Sequence, residues 1–214
     1  MVLGPGSTTQ IELGGFSAGA EHDHLKIAGA ANLDGTLDML PLAPYTDPAT
    51  RGTSDDFVII TAAERSGTFS TVQYDGSTLV IDFGPDSNGS FRSHQGDGLF
   101  RNITYTSTTV QLQNLLAHEG DSDGDQDVDI TDFNALAANF DPDGATAPHS
   151  WAAGNFNGDH SIDITDFNFL ASNFAPDGYG ASVIPEPSAL LLALLGLTLL
   201  AGARMQHSAV RTGF

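Results

Sequence analysis

Asp121-Ser122-Asp123-Gly124-Asp125-Gln126-Asp127-Val128-Asp129-Ile130-Thr131-Asp132-Phe133-Asn134 carries an oxygen-bearing side chain at every second position up to Asp129 and again at Asp132. It opens a 24-residue unit, Asp121 to Gly144, that returns 34 residues later as Asn155 to Gly178. Both copies share Asp-Ile-Thr-Asp-Phe-Asn (Asp129 to Asn134, Asp163 to Asn168), then Leu-Ala-x-Asn-Phe, then Pro-Asp-Gly. Phe133, Leu136, Ala137 and Phe140 follow at helical spacing, as do Phe167, Leu170, Ala171 and Phe174. The pattern predicts two loop-helix units packed as a pair.

The oxygens fall at the ligand positions of an EF-hand-type loop, which surrounds calcium with about six to eight hard donors. In the first copy, positions 1, 3, 5, 7, 9 and 12 are Asp121, Asp123, Asp125, Asp127 (through its carbonyl), Asp129 and Asp132. In the second they are Asn155, Asn157, Asp159, Ser161 (through its carbonyl), Asp163 and Asp166. Ca2+ is therefore the expected cofactor. With five carboxylates at side-chain positions against three, the first loop is expected to bind more tightly. Asp129 and Asp163 also stand where a helix N-cap belongs. Val128 and Ile162, at position 8, are expected to form the short strand pairing the loops. Position 6 is Gln126 or His160 where Gly would make the turn, and a positive φ there costs about 1 kcal/mol. The competing reading is a set of Asx-turns without an ion.

Position 12 is Asp where an EF-hand has Glu, and no helix precedes either loop. In both respects the repeat resembles the type I dockerin module, with loops of the form D-x-[ND]-G-D-x-x-[VI]-[ND]-x-x-D. That resemblance implies calcium at the twelve positions named and a cohesin-like partner. Positions 10 and 11, often Ser-Thr in cohesin-binding members, are here Ile130-Thr131 and Ile164-Thr165.

Composition narrows the remaining classes. The formal net charge is -20, with 27 Asp and Glu against seven Lys and Arg, which excludes nucleic acid as a partner. Thirteen of those acids lie between His118 and Gly180, a stretch without Lys or Arg, so cations are its natural counter-charge. Cysteine is absent, removing disulfides, thiolate metal sites and cysteine nucleophiles together.

Residues 1–117 read as a Gly-rich β domain. Short runs at Gln10 to Leu13, Leu25 to Ala28, Thr36 to Leu40, Phe57 to Thr61, Thr68 to Tyr74, Thr78 to Phe83, Leu99 to Tyr105 and Thr109 to Leu115 are bounded by turn residues. Asp75-Gly76 marks a hairpin. The stretches Gly6 to Gly15, Asp23 to Gly29, Leu33 to Asp38 and Phe57 to Ala62, then Gly67-Thr68-Phe69, resemble the last turns of autotransporter-like passenger regions. The resemblance implies a β-solenoid or sandwich-like architecture, and a chain that begins inside a longer one.

Residues 118–180 form the dockerin-like domain, and residues 181–214 a tail. The apolar run 189–203 would span about 22 Å as a helix, short of the ~30 Å hydrocarbon core, and Arg204 and Arg211 follow it. Pro185-Glu186-Pro187, an apolar helix and a basic end resemble the PEP-CTERM sorting signal. This implies export, a C-terminal transmembrane helix, processing by an exosortase-type enzyme, and delivery to the cell surface or exopolysaccharide. No basic and apolar leader opens the chain, so the start is expected to be misplaced or truncated.

Catalytic motifs fare poorly. Gly15-Phe16-Ser17-Ala18-Gly19 matches a nucleophile elbow, but no strand-turn-helix context surrounds it. His22 and His24 read as a solvated loop, and Asp75, Asp82, Asp86 and Glu64 show no spacing that selects a glycosidase pair. Trp151 is expected to pack between the repeats. The functional expectation is a non-catalytic, surface-associated or secreted calcium-binding protein. The rival expectations are the end of a secreted polysaccharide-degrading enzyme and a structural adhesin or matrix protein.

Overall fold

Alternating apolar side chains place one face of each N-terminal run against a common core, and the chain passes back and forth across that core. The computed structural model describes residues 1–179, which form one compact unit. The expected membrane segment 189–203 and the Pro185-Glu186-Pro187 signal lie outside the described residues. No helix among the described residues is long and apolar enough to cross a membrane.

The architecture is mainly β with two α-helices, and neither sheet closes into a barrel. Strands β1 (Thr8–Leu13), β3 (Thr36–Pro41), β5 (Thr71–Tyr74) and β6 (Ser77–Thr78) form one sheet in the order β1-β3-β5-β6. Strands β2 (Leu25–Leu33), β4 (Thr53–Gly67), β9 (Thr109–Leu116), β8 (Leu99–Tyr105) and β7 (Phe91–Gly96) form the second, in that order. From β1 to β5 the chain alternates between the sheets, so β1, β3 and β5 stack in parallel, as do β2 and β4. The last three strands then extend the larger sheet, with β9 antiparallel to β4, β8 to β9 and β7 to β8.

Ile11, Leu13, Leu37 and Met39 of the first sheet share a core with Phe57, Ile59, Ile103 and Leu112 of the second. Inside it, Arg101 makes a bidentate pair with Asp47 at 2.5 and 2.7 Å and lies 3.8 Å from the Tyr74 ring centroid. The guanidinium is buried; both Nη groups pair with the carboxylate, while its buried Nε has no partner.

The Asp75-Gly76 hairpin is present: both residues have positive φ, at 50° and 72°, and Tyr74 pairs with Ser77. The run expected at Thr78 to Phe83 is not a strand beyond Thr78, and Val80 and Ile81 are exposed. The chain leaves that sheet because Asp82 and Phe83 bond instead to Arg92, on the edge of the other. Strand β7 was not expected, since Phe91-Arg92-Ser93-His94-Gln95-Gly96 contains a single apolar residue. Its turn, Asp97-Gly98, has φ values of 49° and 72° and repeats the sequence signal read at Asp75-Gly76.

Helices α1 (Ile130–Ala138) and α2 (Ile164–Ser172) follow the two loops, and a short 3-10 turn, Trp151–Ala153, precedes the second loop. Both helices stop one residue before the Asn139 and Asn173 caps, so Phe140 and Phe174 lie beyond them and are exposed. The buried contacts come from Leu136 and Leu170. The expected four-residue stripe is therefore shorter than its sequence period.

Candidate metal centre

Each loop is closed by the aspartate at its twelfth position. Asp132 accepts hydrogen bonds from the Ser122 amide at 2.7 Å and the Ser122 hydroxyl at 2.8 Å through Oδ1, and from the Asp129 amide at 2.8 Å through Oδ2. Asp166 repeats this with the Phe156 amide at 2.8 Å and the Asp163 amide at 3.0 Å. Asp129 and Asp163 accept in turn from Thr131 and Thr165, completing a capping box on each helix. The same carboxylates thus fix the loop and start the helix.

The repeats complete one another. Val128 exchanges backbone hydrogen bonds with Ala175, and Ile162 exchanges them with Asp141. The expected pairing of Val128 with Ile162 is replaced by this reciprocal one, in which each loop is tied to the segment after the other repeat's helix. The glycines entering the loops obey the same exchange. A Cβ on Gly120 would sit 2.8 Å from the Leu170 Cα, and one on Gly154 would sit 2.7 Å from the Leu136 Cα. Phe133 and Phe167 meet edge to face at 6.2 Å. A single repeat would leave its loop and helix without these contacts.

In the first loop the carboxylates converge. Asp121, Asp123 and Asp132 bring three oxygens within 4.8 Å of one another, and Asp127, Asp129 and Asp132 do the same. Asp125 belongs to neither triplet; it accepts from the Asp127 amide at 3.1 Å. Asp127, expected to contribute its carbonyl, also brings its side chain to the cluster. Its Oδ1 and that of Asp123 are buried and have no hydrogen-bond partner. Burial pushes Asp121 up to about 7 and Asp123 and Asp127 up to about 6, and it raises Asp132 as well, with neighbouring carboxylates adding to each. A cluster so short of positive charge and so rich in oxygen fits a hard divalent cation.

The second loop is arranged differently. Asn157 and Asp159 bond to each other, and Asp159 accepts from the Ser161 amide at 2.7 Å and hydroxyl at 3.0 Å, which lowers its pKa. These are Asx-type bonds, and no carboxylate triplet forms there among the described residues. Asn155 donates to the Asp159 carbonyl at 2.9 Å while its buried Oδ1 lacks a partner. The loops differ in backbone too. Gln126 has φ of 76°, the strained turn expected at position 6, whereas His160 is not among the residues with positive φ.

Three contacts that sequence reasoning missed bind the first loop to its surroundings. The Trp151 indole donates to the Asp121 carbonyl at 2.7 Å, and the ring packs against Phe156 and His94 as well. The Tyr179 hydroxyl donates to Asp121 Oδ2 at 2.5 Å. Arg92, from β7, pairs with Asp123 at 2.9 Å. Beside them, Asn102 donates to the Gly124 carbonyl at 3.2 Å and Gln126 donates to Gln113 at 3.1 Å. The first loop is thereby seated on the outer face of β7, β8 and β9.

The discounted residues stay apart from this centre. The Ser17 amide donates to Glu21, and His22 is buried edge-on to Phe57 with Nδ1 3.0 Å from the Gly15 carbonyl. His22 is therefore a core residue, not part of a solvated loop. Asp82 accepts from the His94 amide on β7, and Asp86 accepts from the amides of Asn88 and Ser90 within a turn. No protein-family profile, curated protein or solved structure matches the chain.

Proposed function

We propose that this chain is a non-catalytic, calcium-binding, surface-associated protein. In this reading a dockerin-like double-loop module sits at the end of a β-solenoid, and a PEP-CTERM-type tail directs export, exosortase processing and retention at the cell envelope. The observation that carries the calcium reading is the first loop. Two carboxylate triplets share Asp132, and the buried oxygens of Asp123 and Asp127 have no partner in the protein. The parallel, sheet-alternating coil of β1 to β5 supports the solenoid reading.

Calcium would act structurally, because ions held only by the native state stabilise it by mass action. Asp121, Asp123, Asp125, Asp127, Asp129 and Asp132 would hold the ion in the first loop, and Asn155, Asn157, Asp159, Ser161, Asp163 and Asp166 in the second. The module would then present the exposed apolar residues of its helices, Ile130 and Ile164 among them, to a cohesin-like or cell-surface polysaccharide partner. Calorimetric titration with calcium after chelator treatment tests the reading: saturable heat is expected, and its absence would sink the calcium assignment. Intact mass of the mature protein tests the tail, since a C-terminus still at Phe214 would rule out processing.

A further inference from the structure

The acidic module contains no Lys or Arg between His118 and Gly180, so any guanidinium or ammonium side chain near its loops comes from elsewhere in the chain. The β region supplies two. Arg51 pairs with Glu119 at 2.6 Å and lies 5.0 Å from the Trp151 ring centroid, at the entry to the module. Arg92 reaches the ligand cluster itself. Its Nη2 is 2.9 Å from Asp123 Oδ2, while Asp123 Oδ1 is buried without a partner. One carboxylate thus has an oxygen committed to the sheet and an oxygen left over. The guanidinium is held in place by the Phe83 ring, 5.6 Å away, along a groove of about 360 Å³ between the sheet and the loop.

We infer that Arg92 is a resident counter-ion of the first loop and that it sets the calcium concentration at which that loop fills. The inference rests on the calcium reading above. A monovalent cation already on Asp123 offsets part of the negative charge that attracts the ion, and it repels a divalent ion drawn to the other oxygen of the same carboxylate. The six carboxylates of the first loop therefore do not act as six free charges. Its affinity is drawn down toward that of the second loop, which has fewer acids and, among the described residues, no arginine among its hydrogen-bond or ion-pair partners. Calcium and Arg92 are alternative sources of the same counter-charge, so calcium substitutes for a missing Arg92.

The test uses the full chain carrying Asp159→Asn and Asp163→Asn to silence the second loop; Asn keeps the helix cap. Trp151 is the chain's only tryptophan and bonds to Asp121, so its fluorescence reports the first loop during a calcium titration. In this background Arg92→Gln is expected to move the midpoint to about tenfold lower calcium, and Arg92→Lys to stay within about threefold of the parent. A midpoint unchanged or raised in Arg92→Gln overturns the inference and makes Arg92 a support for Asp123. Both Arg92→Gln and Arg92→Ala are expected to show native circular dichroism at saturating calcium, and failure of both to fold there also overturns it. If the parent gives no saturable signal and the wild type no calorimetric heat, the calcium reading has failed, a result distinct from the arginine outcomes.

Discussion

Acidification of the calcium-free protein should stabilise it, contrary to the behaviour of most proteins with paired carboxylates. Asp121 is fully buried, and burial pushes it from its ordinary 3.8 up to about 7. Because the folded state binds the proton more tightly than the unfolded chain does, stability falls as pH rises from the unfolded value through the folded one. Between about pH 5 and about pH 7.5, Asp121 alone removes about 2 kcal/mol. For a unit of this size that is a loss of about 4–8 °C in Tm. Calcium should reverse the slope, because binding requires the deprotonated carboxylates and its stabilisation grows with pH. Thermal unfolding followed by circular dichroism, with chelator and with saturating calcium at both pH values, makes the comparison. The variant Asp121→Asn separates this site from the general relief of self-repulsion in a chain of net charge -20. Its amide oxygen can keep the bond from the Gly124 amide, and its NH2 can donate to the Tyr179 hydroxyl. It should flatten the pH dependence of the chelated form. A chelated wild type that loses stability between about pH 7.5 and about pH 5, or an Asp121→Asn slope equal to wild type, would refute the reasoning.

Other perturbations address the packing. Gly124→Ala and Gly158→Ala occupy equivalent positions with φ of 72° and 69°, but a Cβ at 124 would fall 2.6 Å from the Phe100 ring whereas one at 158 meets nothing within 4 Å. Denaturant unfolding should therefore cost Gly158→Ala about 1 kcal/mol and Gly124→Ala about 2–4 kcal/mol. Leu170→Ala should cost about 2–5 kcal/mol, and hydrogen exchange should show the first loop loosening with it, because Leu170 packs beside Gly120 of the other repeat. Trp151→Phe keeps an aromatic core but removes the bond to the Asp121 carbonyl, and a loss of about 1–3 kcal/mol is expected by chemical denaturation.

Much of the site was legible locally. The spacing of the oxygen-bearing residues, the capping aspartates and the apolar residues at 136 and 170 are set by loop and helix periods, which sequence carries directly. The ends of the elements were less legible. Phe140 and Phe174 continue the helical period on paper, yet both helices stop at an Asn cap. Strand β7 escaped because its partners, Phe83 and β8, supply the pairing that its own composition does not advertise. An Asp-Gly turn at 97–98, the same signal that located the earlier hairpin, would have revealed it.

Sequence by itself determined that a duplicated, oxygen-rich loop precedes each of two short helices, that no Lys or Arg lies within that region, and that a Gly-rich β region comes first. Each of these is a property of neighbours along the chain. Only the tertiary structure decided that Val128 bonds to Ala175 and Ile162 to Asp141, that Asn157, Asp159 and Ser161 of the second loop bond to one another while the first loop's carboxylates converge, and that Arg92 comes to Asp123. These are contacts between residues distant in sequence, set by how strands order in a sheet and which face a loop covers. No local period encodes them.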